Sequence, residues 1–127
     1  MSRRSDQRRA AAFALYEHAV TGKDLDDVFE RDASEFTRAL AYAAQDYGED
    51  LDELIARHSQ GWSIDRIAPL ERNIMRAALY EALHDDDVPV EVALDEAVEL
   101  AKEYCGADAP GFINGVLGAA VAEAQQA

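Results

Sequence analysis

The 127-residue sequence holds one cysteine, three prolines and seven glycines. Cys105 has no second thiol to pair with, which excludes an internal disulfide and a cysteine zinc cluster and fits a reducing compartment. No apolar run approaches the roughly 18 residues a membrane span needs. Met1 to Asp6 leads into no apolar signal core, so a cytoplasmic protein is expected. There is no glycine-rich phosphate loop, which argues against a nucleotide-driven enzyme. The three histidines, His18, His58 and His84, have no second histidine at ligand spacing, and His84-Asp85 lacks further ligands. No catalytic residue, metal or cofactor is therefore expected. Glu96 and Glu99 read as a solvated stripe with Lys102 pairing to Glu99, and Cys105 reads as a small residue at a helix end.

Positive charge is scarce as well. The formal net charge is −14. Arg3, Arg4, Arg8 and Arg9 give the first nine residues a local excess, while beyond Ala77 Lys102 is the single base. Such a body repels nucleic acid in general, yet its tip is suited to hold a phosphate backbone.

What is abundant is alanine, leucine and glutamate, within a chain that is 49% hydrophobic. This points to one all-helical domain with a real core, residues 1–127, fraying at 1–4 and 124–127. Six or seven helices are expected. The first runs from about Ser5 to Val20, its stripe Ala12, Leu15, Tyr16 and Ala19, and stops at Thr21-Gly22. Asp24 to Asp27 opens a short second helix. A third starts at Ser34 as N-cap, and Gly48 either kinks it or divides it in two before Leu51, Leu54, Ile55 and His58. Gly61-Trp62-Ser63 reads as a connector, with Ser63 capping a short turn. Pro69 starts a central helix with a wide apolar stripe from Leu70 to Leu83. Pro89 starts the next helix, which ends at Cys105-Gly106. The last begins near Asp108 and carries Phe112, Ile113, Val116, Leu117, Ala120 and Val121 inward. Gly111, Gly115 and Gly118 share a small-residue face, which predicts close approach by another backbone, protein or nucleic acid.

The second half is more specific. Leu70-Glu71-Arg72-Asn73-Ile74-Met75-Arg76-Ala77-Ala78-Leu79-Tyr80-Glu81 is followed by Asp87-Val88-Pro89. Val92-Ala93-Leu94-Asp95-Glu96-Ala97-Val98-Glu99-Leu100-Ala101-Lys102 comes next, and then Phe112-Ile113-Asn114-Gly115-Val116-Leu117. In this order and spacing the strings resemble the bacterial transcription antitermination factor NusB family. An arginine-bearing first helix running into Ala14-Leu15-Tyr16 agrees with it, whereas residues 22–62 carry little family signal.

The resemblance implies an all-helical fold of two antiparallel bundles sharing a central helix. It implies an adaptor without catalysis, which binds the boxA element of nascent ribosomal RNA as a heterodimer with the ribosomal protein NusE and joins the RNA polymerase elongation complex. Carried over by position, the RNA surface comprises Arg3, Arg4, Arg8, Arg9, Tyr16, Asp108, Phe112, Asn114 and Gly115. The partner surface comprises Asp65 and Glu71. Arginines suit phosphates and aromatic rings suit unpaired bases. A homodimer able to cover the RNA surface is a further partner the family allows.

Three departures remove positive charge: Ser5-Asp6 interrupts the basic cluster, Gly111 stands where the family often has lysine, and Gly118-Ala119 replaces the usual Asp and Lys. Weak RNA binding without the partner is therefore expected. Two other readings remain. The fold also serves as the RNA-binding domain of some ribosomal RNA cytosine methyltransferases, but 127 residues leave no room for their cofactor domain. The other is an acidic protein-interaction module that grips a basic partner without an RNA role.

Overall fold

The computed structural model describes residues 3–126. Among them are seven α-helices and one short 3-10 turn, with no strand. The helices are α1 (Arg4–Thr21), α2 (Leu25–Val28), α3 (Glu35–Asp46), α4 (Gly48–Arg57), α5 (Pro69–His84), α6 (Val90–Tyr104) and α7 (Ala109–Gln125); the 3-10 turn is Ile64–Arg66. Part of the fraying expected at the ends, at residues 1, 2 and 127, lies outside the described residues.

Local chemistry explains most boundaries. Gly22 takes a left-handed φ of 76°, and its N–H closes α1 on the His18 carbonyl. The Ser34 hydroxyl accepts from the Thr37 N–H at 3.0 Å and starts α3. Pro69 occupies the first turn of α5, where its missing N–H costs nothing. Ser63 and Asp108 stand at the expected cap positions, but neither side chain makes a capping hydrogen bond. The segment that sequence left open as one kinked helix or two is two. The break falls at Tyr47, and Gly48 is already the first residue of α4.

α5 is the spine, packed by α1, α3, α4, α6 and α7. On one side Ile74, Met75, Ala78 and Leu79 join a large cluster with Leu51, Ile55, Ile113 and Leu117. On the other, Ala77 joins a smaller cluster built from α1 to α3: Ala11, Ala14, Leu15, Leu25, Leu40, Ala41 and Ala44. The first-helix stripe needs correction. Ala11, Ala12, Ala14 and Leu15 are buried, Tyr16 is half-buried and Ala19 is exposed. α1 is alanine-rich nearly all round, so spacing alone could not select its inner face. His58, expected on the α4 stripe, is half-buried and pairs outward with Glu123 at 2.9 Å.

Candidate nucleic-acid interface

α1 carries the arginine tip, and its four arginines are not alike. Arg3 and Arg4 are exposed. Arg4 donates to the Gln7 side chain at 2.7 Å and lies 4.0 Å over the Phe36 ring. Arg9, at the margin of exposure, pairs with Asp6 at 2.8 Å. Arg8 points inward. Its Nε donates to Glu81 at 2.8 and 3.0 Å and its Nη2 at 2.8 Å, with the two side chains 11% and 2% exposed. Burial alone would lower the Arg8 pKa, but the hydrogen bonds and charge of Glu81, with Glu96 behind it, carry it above the ordinary value. The structure thus divides the sequence-derived cluster into three arginines at the surface and one held in a buried, bidentate pair.

Two contacts align α1 with α6. The Ser5 hydroxyl donates to Glu96 at 2.9 Å, and the Phe13 ring meets Tyr104 edge-on at 4.9 Å. The turn between α6 and α7 therefore lies beside the middle of α1, with Tyr16 one turn further along. Across that turn, Asp108 is exposed and Phe112 is half-buried against the large cluster. Asn114 and Gly115 are exposed. A Cβ added at Gly111, Gly115 or Gly118 would meet nothing within 4 Å. The close approach expected along this glycine face is therefore not made by any described part of the chain, and the face lies open.

The start of α7 also forms one wall of a groove of about 440 Å³, lined by Trp62, Arg66, Ile67, Glu71, Asp108 and Phe112 among others. RNA-surface and partner-surface candidates thus flank one cleft. Asp65 is 92% exposed on the 3-10 turn, 4.0 Å from Arg72. Desolvation pushes the Glu71 carboxyl above its usual pKa, and Glu71 makes no ion pair among the described residues. Burial, then the Glu71 charge, pushes the neighbouring Cys105 thiol up, so it is no ready nucleophile.

Sequence reasoning missed two features. Trp62 lies in a segment whose sequence reads as connector, yet it lines the groove and is 54% exposed, displayed by a turn in which Gln60 and Gly61 have φ of 52° and 88°. A lone tryptophan in a polar connector was the available signal. Glu81 has no signal in the sequence, because no local spacing points to a partner 73 positions away. No group of three or more His, Cys, Asp or Glu among the described residues is arranged to hold a metal. No helix among them is long and apolar enough to cross a membrane.

Comparison with known proteins covers nearly the whole chain. The NusB family model matches residues 5–122. A transcription antitermination protein NusB from Symbiobacterium thermophilum is 38% identical, with 95% of this chain and 90% of that protein covered. Its counterpart from Halalkalibacterium halodurans is 42% identical, covering 92% and 91%. Among solved structures, T. maritima NusB superposes with a TM-score of 0.87 at 31% identity, over 96% of this chain and 92% of that one. A chain in a crystal structure of antitermination factors NusB and NusE with double-stranded RNA gives a TM-score of 0.84 at 28% identity, covering 94% and 96%.

Proposed function

This chain belongs to the NusB family, and from that premise we propose that it is a transcription antitermination factor that binds boxA RNA together with NusE and joins the RNA polymerase elongation complex in the cytoplasm. The observation that carries this reading is the likeness, over 94% of the chain, to a chain of the complex of NusB, NusE and double-stranded RNA. It is an adaptor, not an enzyme. Arg3, Arg4 and Arg9 hold phosphates, Tyr16 and Phe112 offer rings to bases, and Asp108, Asn114 and Gly115 line the path between them. Arg8 serves that surface as the strut that fixes α1 on α5. Asp65 and Glu71 face basic side chains of NusE, and desolvated Glu71 gains most from a cationic neighbour.

A second reading, a protein-binding module with little RNA affinity, is favoured by the pairing of Arg8 with Glu81 and of Arg9 with Asp6. Fluorescence anisotropy of a labelled boxA RNA, with and without NusE at two salt concentrations, separates the two. Tight, sequence-dependent binding is expected only with NusE. Gly111→Lys, which meets no neighbour, should steepen the salt dependence by about 0.7 of a log unit per log unit of salt, the release expected for one added single-strand phosphate contact. Glu71→Gln should weaken NusE binding without weakening the fold, because it removes a desolvated charge. NusE binding with no gain in RNA affinity would favour the second reading and overturn the first.

A further inference from the structure

The end of α5 opposite Glu71 carries a second aromatic and acidic surface. Tyr47 sits at the break between α3 and α4, 43% exposed. Its ring stacks on exposed His84, centroids 4.7 Å apart and planes 29° from parallel. Tyr80 joins both, 5.4 Å from Tyr47 and 5.1 Å from His84. Elsewhere the rings meet steeply, at 84° for Phe13 with Tyr104 and 61° for Phe29 with Tyr42. Here the planes lie closer to parallel, and Tyr47 and His84 are both exposed. Beside the rings runs a shallow groove of about 190 Å³, lined by Phe36, Ala39, Leu40, Tyr80, His84 and Asp85 among others. Asp85 lines it, accepting from the Asp87 N–H at 3.0 Å and lending its charge to Arg8; exposed Asp86 and Asp87 follow it in the chain, and neither makes an ion pair among the described residues.

We propose that this patch is a second docking surface, which takes an arginine-bearing segment of a partner protein. A guanidinium is planar, stacks on aromatic faces and carries a fork of N–H donors for carboxylates. Rings and carboxylates side by side match both properties at once. The molecule uses the same contact internally, with Arg4 over Phe36 on the same groove and Arg38 5.1 Å over Phe29. Nucleic acid would also find rings to stack on, but the exposed carboxylates of Asp86 and Asp87 oppose its phosphates. The patch is separate from the NusE-facing groove: Glu71 and His84 are thirteen positions apart on α5, about 20 Å along the helix.

The test is anisotropy of a fluorescein-labelled peptide of four Arg-Gly repeats, titrated with the full chain at low and at physiological salt. A Lys-Gly peptide and an oligouridine serve as the other probes. The arginine peptide should bind about fivefold tighter than the lysine peptide, the factor expected of one exposed guanidinium stack. Tyr47→Ser with His84→Ala should remove that preference, and Asp86→Asn with Asp87→Asn should weaken both peptides. All substituted side chains are exposed, and circular dichroism checks that each variant keeps its helices. Three results would overturn the proposal: no binding of the arginine peptide, equal binding of both peptides that the ring substitutions leave untouched, or oligouridine binding that the ring substitutions abolish.

Discussion

The two hydrophobic clusters are built on different principles. The large one, from α4 to α7, fills its interior with long side chains: Leu51, Ile55, Met75, Leu79, Ile113 and Leu117 are all essentially inaccessible. The small one, from α1 to α3 against α5, is mostly alanine, with Leu15, Leu25 and Leu40 as its larger members. Alanine brings backbones close but removes little apolar area from water. The small cluster adds polar ties instead. Arg8 forks onto Glu81, the Thr37 hydroxyl donates to the Gln7 carbonyl at 3.0 Å, and Ser34 caps α3. The large cluster has a fork of its own, half-buried Arg76 on Asp52 between α5 and α4, but there it adds to buried volume; in the small cluster the directed bonds stand beside little apolar area. The half that presents the arginine tip is the half held by bonds.

The comparison can be broken most directly at Glu81. Glu81→Ala leaves half-buried Arg8 with only Glu96, 3.9 Å away, and should cost about 2–3 kcal/mol. The urea midpoint should fall, and amide exchange should accelerate first in α1 and α3. Uniform acceleration across all seven helices would mean that the two halves do not differ in this way. The next effect is smaller. Ser34→Ala removes the α3 cap and should cost about 1 kcal/mol, read from the same midpoint.

The smallest effect belongs to the large cluster, where a polar tie is an accessory. Glu123 on α7 receives hydrogen bonds from Arg57 and His58 at the end of α4, and these hold its carboxyl down at about 2. A carboxylate with a lowered folded pKa contributes stability above its unfolded pKa, near 4.5, and loses it as pH falls towards 2. The pair is solvent-screened, so its contribution is small. Glu123→Gln should lower Tm slightly at neutral pH, and the difference from the native chain should shrink between pH 4.5 and pH 2. A difference that grows in acid would contradict the assignment.

Period and punctuation made most helices legible. Gly22, Ser34, Pro69 and Cys105-Gly106 mark real ends because each acts through its own backbone or the next turn. The wide stripe of α5 announced its central place. The family strings from Leu70 to Leu117 named the fold that the comparisons show. Local signals failed where depth or distance mattered. Arg8 shares its composition with Arg4 and Arg9, and only the tertiary fold takes it to Glu81. Ala19 continues a valid helical spacing yet lies outside, since an alanine-rich helix has no steep apolar gradient. Gly48 drew attention to the right place, but the break itself is at Tyr47, whose ring then packs on the end of α5. The open glycine face of α7 was legible as a face, not as one left empty by the chain.

α5 has a further consequence. Beyond Pro69 in its first turn it contains no proline or glycine, and helices pack it along its length. Such a rod does not hinge. Glu71 and His84 therefore stay a fixed distance apart, about 20 Å. The helix acts as a ruler: a molecule that engages both ends gains only if its own linker spans that length, and one too short gains nothing; the length is set by the sixteen residues of α5.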